Sequence, residues 1–253
     1  RRYIQRGIKL FMKQQKTGIY ILIVYCIMQL SGAVFAPLLY KLLETMEIEN
    51  AALIASGWWV FLSMGIATLI TLFIIKKDNN YLKPLKGKSS PLLQTVGWGV
   101  IGFFLVLLGQ AYAANIEQKF GVDPGSENTT QFIEIAQAVP LAIFSIVIFA
   151  PILEELIFRR IIFGTLLPKT NFFVAASVSA IVFGIIHFDF THILIYAVSG
   201  FIFSFIYYKT KRIIASIISH MLLNGFVVLV QFYGEEIQNF LKQYSNLQII
   251  FFH

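Results

Sequence analysis

Charge is scarce in this chain: only 13% of its 253 residues are Asp, Glu, Lys or Arg, against 57% hydrophobic ones, and the mean hydropathy is +0.74. That composition excludes an ordinary water-soluble domain. Cysteine is almost missing as well. Cys26 is alone, so no intrachain disulfide can form, and with no histidine near it in sequence it reads as a packing residue rather than a nucleophile. The only aspartates are Asp78, Asp123 and Asp189, which leaves no pair within apolar runs for a two-aspartate hydrolase. A His-Glu-x-x-His zinc helix and a Gly-x-Ser-x-Gly serine elbow are both absent. Neither a repeat of roughly 20 to 50 residues nor a low-complexity linker divides the chain.

What is plentiful is apolar sequence in long runs. Seven of them, at 19–43, 52–75, 92–114, 139–167, 172–188, 193–208 and 213–232, reach membrane-spanning length and lack the alternation of barrel strands. The fold expected is therefore all-α, a polytopic transmembrane helical bundle. It has seven spans, or eight if the tail 237–253 crosses the membrane instead of lying on it as an amphipathic helix. In that tail Phe240, Leu241, Tyr244, Leu247 and Ile250 recur at roughly helical spacing. All of it reads as one membrane domain, with 1–130 carrying no chemical motif and 131–236 carrying every one.

The net charge of +7 does not signal nucleic acid, because the basic residues sit between spans. With the N-terminus in the cytoplasm, 17 of the 20 Lys and Arg fall on that side, and the loops of the opposite side hold Glu44, Glu47, Glu49, Glu117, Asp123, Glu127, Glu134, Glu235 and Glu236. The first apolar run is too long for a signal-peptide core, so it reads as a retained span behind a basic leader. The longest polar segment, 115–137, has a turn at Asp123-Pro124-Gly125, then Thr129 or Thr130 as the expected start of a short surface helix.

Against this background the polar residues inside spans stand out, since a charge at mid-bilayer costs roughly 2.5 to 3.5 kcal/mol on insertion scales. On the fourth span Glu155 and Arg159 stand at i and i+4 and can pair; Glu154 points about 100° away without a local partner, placed to act as a general base. On the fifth, the small residues Ala176, Ala180 and Gly184 invite close helix packing, and His187 continues their face one turn beyond Phe183. On the seventh, Ser216, His220 and Asn224 form a polar stripe, with Gln231 further along. At a rise of about 1.5 Å per residue, Glu154, His187, His220 and Asn224 can meet near mid-membrane. Together they could activate a water, shuttle a proton and hold an oxyanion, as amide hydrolysis requires. Taken singly, an ion pair or a transmembrane histidine is just as well interhelical glue. His192, Asp189 and His253, at span ends, read as solvated, and Tyr196, Ser199 and Ser204 as packing residues.

Three motifs in this order, Glu-Glu-x-x-x-Arg at Glu154, Glu155 and Arg159, Phe-x-x-x-His at Phe183 and His187, and His-x-x-x-Asn at His220 and Asn224, resemble the CPBP family of CAAX proteases and bacteriocin-processing enzymes, also called Abi. The resemblance covers about 139–232. It implies an intramembrane endopeptidase in which Glu154 and His187 activate a water, His220 and Asn224 stabilise the oxyanion, and Glu155 and Arg159, with Phe183, brace the site. It further implies a peptide or membrane-protein substrate, the lipid bilayer as setting and, by analogy, a bacterial plasma membrane. No cofactor is favoured. Zinc, held by Glu154, His187 and His220, is the alternative, to which Asn224 is a poor ligand. The competing functions are a non-catalytic membrane scaffold or bacteriocin-immunity protein of the same fold, and a proton-coupled transporter, for which broken helices or inverted repeats would be expected, and the sequence shows neither.

Overall fold

Among the described residues, ten α-helical segments and two π-helical ones make up nearly all of the backbone. The computed structural model describes the backbone of residues 2–251 except 79, 83, 84 and 86, and the side chains of 13–234 with the same exceptions, together with 236 and 239. Helix α1 (Arg2–Thr45) pairs with α2 (Ala51–Lys77), and α3 (Leu92–Lys119) lies across α9 (Ile193–Thr210) and α10 (Ile213–Phe251). Helix α8 (Phe172–Ile185) packs along α9. The tightest approaches use glycine: a Cβ on Gly200 would come within 2.9 Å of the Ala180 backbone, and one on Gly99 within 2.7 Å of the Ile218 side chain. Ala176, Ala180 and Gly184 are buried in the α8–α9 contact, as their spacing predicts.

Five helices, at Lys13–Thr45, Ala51–Lys77, Leu92–Lys119, Ile193–Thr210 and Ile213–Gly234, are long and apolar enough to cross a membrane among the described residues. Their outward faces are apolar too: Leu30, Leu69 and Leu108 are each about 70% exposed, which lipid tolerates and water would not. Cys26 belongs to that outward face and is exposed, so the expectation of a packing role for it is corrected.

The expected fourth and fifth spans depart from regular helix. The fourth is a continuous but irregular run: α5 (Ala142–Phe144), a π segment (Ser145–Phe149), α6 (Ala150–Glu154), a second π segment (Glu155–Phe163) and α7 (Gly164–Leu166). It is the centre of the bundle, touching α1, α2, α8, α9 and α10, and Leu153, Leu156, Ile157, Phe158 and Phe163 are buried along it. The fifth shrinks to the 14 residues of α8, about 21 Å long, and ends in a turn where Phe188 takes a left-handed φ of 54°.

Helix α4 (Glu127–Ala138) forms in the polar segment between spans, but it starts earlier than expected from Thr129 or Thr130. Ser126 is its cap, the Oγ accepting from the Thr129 N–H at 3.2 Å, so Thr129 lies inside the helix. After Glu236 the backbone continues α10 without a break to Phe251; the apolar spacing noted at Phe240, Leu241, Tyr244, Leu247 and Ile250, and also His253, fall outside the described side chains. At the Lys/Arg-rich end, Arg160 Nε donates to Tyr81 O (2.8 Å) and Arg212 Nε to Ser90 O (2.7 Å), tying the α2–α3 connection to the irregular run and to the α9–α10 turn.

Candidate active site

Glu154 and Glu155 lie at the junction of α6 and the second π segment, so one carboxylate ends a helical register and the other opens a wider one. Such π turns are rare and recur at functional sites. Glu155 is fully buried between two partners: its Oε2 lies 3.3 Å from Arg159 Nε and its Oε1 3.1 Å from His220 Nδ1. The Arg159 contact is off the hydrogen-bond direction and is Coulombic. The Arg159 guanidinium is otherwise enclosed by rings, 4.5 Å from Phe183, 5.0 Å from Phe203 and 5.8 Å from Phe158.

Glu154 turns the other way, as the helical angle predicts, and is 13% exposed. It is not without a partner, however. His220 Nε2 comes within 3.6 Å of its Oε2, beyond hydrogen-bond range but close enough for a water or a shared substrate atom to join them. His220 stands between the two carboxylates. Its ring lies flat on Phe203, centroids 4.6 Å apart at 22°, with the edge of Phe183 at 5.7 Å.

His187 is held by Phe183 twice. The Phe183 carbonyl sits 2.7 Å from Nδ1, and the two rings meet edge to face at 4.7 Å. A carbonyl can only accept, so Nδ1 carries the hydrogen and Nε2 is left with its lone pair. On its other side Tyr196 stacks on the imidazole at 4.2 Å and 26°. Tyr196 is in turn fixed through its hydroxyl, which lies 2.9 Å from Ser126 Oγ and accepts from Asn128 Nδ2 at 3.3 Å. Ser126 spends its own hydrogen on Asp189 Oδ2 at 2.6 Å, so Tyr196 is the donor to it.

Asn224 is placed by a proline. In the first π segment Ala150 N–H reaches back five residues to Ser145 O. The next amide in that register belongs to Pro151, which has no N–H, so the Ile146 carbonyl lacks its donor. Asn224 Nδ2 supplies one at 2.8 Å and keeps its second hydrogen and its carbonyl oxygen.

Glu154, His187, His220 and Asn224 all line one cavity of about 1120 Å³, with Phe183 among the walls; Glu155 and Arg159 stand behind it. Other expectations fare differently. Gln231 is exposed and does not reach the cavity, and Ser216 turns to its own helix, donating to Ile213 O. His192 and Asp189 are not solvated span ends: His192 is buried, its Nδ1 3.1 Å from Glu117 Oε2, and Asp189 accepts from the His192 N–H. Burial alone would push the His192 pKa down, but the Glu117 hydrogen bond, the Asp189 carboxylate and the Gly125 carbonyl outweigh it, and the net direction is up. Tyr196 is more than packing. Ser199 and Ser204 do bond within their helix, Ser199 also receiving Gln110 Nε2 at 2.9 Å. Among the described residues no three His, Cys, Asp or Glu side chains gather closely enough to hold a metal ion.

Comparison with known proteins puts the same region in focus. A family model described as type II CAAX prenyl endopeptidase, Rce1-like, matches residues 136–226. The chain is 40% identical over 235 residues, 91% of its own length and 95% of the other, to the "Putative membrane peptidase YdiL" of Bacillus subtilis. It is 35% identical over 211 residues, covering 80% of this chain and 85% of the other, to the membrane-embedded CAAX protease MroQ of Staphylococcus aureus. It is also 30% identical over 163 residues, 62% of this chain and 88% of the other, to the UPF0177 protein YxdF of Lactococcus lactis. No solved structure matches.

Proposed function

This chain belongs to the CPBP family of Rce1-like intramembrane proteases, and from that membership we propose that it cleaves a peptide or membrane-protein segment with a metal-free site built on Glu154. What supports the reading is a single observation: the one partly exposed carboxylate of the paired glutamates shares a cavity with two imidazoles and an amide, each anchored from behind.

The chemistry follows from which atoms are free. A water between Glu154 and His187 gives one proton to the Glu154 carboxylate, while its other hydrogen is oriented by the His187 Nε2 lone pair. Its oxygen adds to the scissile carbonyl carbon, and the electron pair displaced onto the carbonyl oxygen is met by the second hydrogen of Asn224 Nδ2 and by the Nε2 hydrogen of His220, which in this step is an imidazolium whose Nδ1 hydrogen goes to the Glu155 carboxylate. Glu154 then returns its proton to the amine as the C–N bond breaks, which regenerates the carboxylate. Glu155 and Arg159 take no part in bond making; Glu155 holds His220 by Nδ1 and so aims Nε2 at the oxyanion. The N-terminus lies on the cytoplasmic side in this reading, by the distribution of Lys and Arg.

The test is cleavage of a quenched-fluorescent peptide and lipopeptide library by the detergent-purified protein, wild type beside Glu154→Gln, with and without a zinc chelator. The expected loss in the variant is about 10²- to 10⁴-fold, indifferent to chelator. Activity that survives in the variant would remove Glu154 from the base role, and chelator sensitivity would return the zinc set of Glu154, His187 and His220. A library left whole by the wild type would favour the non-catalytic scaffold or bacteriocin-immunity function.

A further inference from the structure

Among the described residues, carboxylates outnumber basic groups at the mouth of the cavity; His192, which also lines it, is already paired with Glu117. The cavity lining carries Asp123, Glu127, Asp189 and Glu154 and, among the described residues, no lysine or arginine. Asp123 and Glu127 are exposed and enter no ion pair among the described residues. Lys119, the nearest base in sequence, is exposed on α3 outside the lining. Arg159 offers nothing to a ligand, since it has no exposed surface and its charge faces Glu155.

Apolar surface accompanies the carboxylates. Phe188 and Phe190 line the same cavity and are 77% and 60% exposed, Phe188 on a left-handed backbone that a bulky side chain rarely adopts. The mouth is formed by the 121–132 stretch with the start of α4, and by the turn between α8 and α9. That is the end of the bundle opposite Lys76, Lys77, Lys88, Arg160, Lys169, Lys209, Lys211 and Arg212.

Fixed negative charge in a cleft with low-dielectric walls concentrates cations and repels anions. A substrate cut close to its own C-terminus would bring a free carboxylate into this field with no lysine or arginine to receive it and with His192 already paired to Glu117. We infer that the cavity takes a cationic, amphipathic peptide segment from the bundle end opposite the Lys/Arg-rich loops, its basic residues meeting Asp123, Glu127 and Asp189 and its apolar ones Phe188 and Phe190. The preference is a property of binding; only its outcome, cleavage, rests on the proteolytic reading above.

The experiment separates the two. Dye-labelled peptides of matched apolar content, flanked by Lys or by Glu and ending in a free acid or an amide, are titrated against detergent-purified Glu154→Gln by fluorescence anisotropy, and then offered to the wild type for cleavage. Lys-flanked peptides bind about tenfold tighter than Glu-flanked ones, the margin shrinks in high salt and in the D123N/E127Q double variant, and amidation does not weaken binding. Equal or tighter binding of Glu-flanked peptides, or a requirement for the free C-terminal acid, overturns the inference even if cleavage is seen. Charge-selective binding with no cleavage of any peptide keeps it and sinks the proteolytic reading. In a Cys26→Ser background the Lys-flanked peptide shields Gln131→Cys from maleimide and leaves Lys169→Cys reactive; the reverse pattern overturns the direction of access.

Discussion

Among the described residues Arg159 is the largest side chain with no exposure at all, and it shows how this protein keeps charge inside a membrane domain. Its charge has one carboxylate, Glu155, and three aromatic faces, and Glu155 in turn holds His220. Removing one member leaves a buried charge alone. Arg159→Met or Glu155→Gln should therefore each lower stability by about 3 to 5 kcal/mol, and the double variant should lose less than the sum of the two; thermal unfolding in detergent measures this. Activity in the double variant should stay low despite recovered stability, because His220 has lost the carboxylate charge that faces its Nδ1. At Tyr196 the ring and the hydroxyl can be separated. Tyr196→Phe keeps the stack on His187 and should cost no more than about threefold, whereas Tyr196→Leu should lower kcat roughly 10²-fold with little change in KM, as expected for a misplaced imidazole. Equal losses in both variants would mean that the hydroxyl network, not the stack, positions His187.

The element that matters most is the irregular run from α5 to α7. A regular helix there would satisfy its own carbonyls and leave Asn224 without its anchor; the π segment followed by Pro151 frees the Ile146 carbonyl for the amide. Pro151→Ala restores an N–H at that point. It should leave stability unchanged or raised while kcat falls about tenfold, read from unfolding and cleavage assays on the same sample. An unchanged kcat would show that Asn224 does not depend on the freed carbonyl. The irregularity was not read from the sequence, where 139–167 passes for one unbroken span; the carbonyl that Pro151 releases meets Asn224 78 residues further along the chain, a contact only packing decides.

Across the whole molecule, the end that carries the cavity mouth is clamped by His192, which links the start of α9 to Glu117 near the end of α3. Because its pKa is raised in the folded protein, the clamp adds stability that is fully present below the ordinary histidine range and is lost as pH rises through the raised value. The unfolding temperature of the wild type should therefore exceed that of His192→Gln most at acid pH, with the gap closing on the alkaline side. A gap that widens with pH would contradict the ionic clamp. The clamp escaped the sequence because Glu117 and His192 lie 75 residues apart at span ends, where solvation is the usual fate of a polar group.

The helical membrane character was determined by the sequence alone, because the bilayer acts on each segment separately: a long apolar run must satisfy its backbone internally wherever it sits in the fold. Glu154, His187, His220 and Asn224 stood out in the sequence for the same reason, since polar groups at membrane depth cost too much to be incidental. Tertiary structure decided what depends on neighbours distant in the chain. It set His220 between Glu154 and Glu155, Tyr196 upon His187, and Asn224 upon the carbonyl released by Pro151, and it gathered Asp123, Glu127 and Asp189 around one mouth. Contacts of that kind are chosen by which helices pack side by side, and helical periodicity records only the face that a residue presents, not the face that it meets.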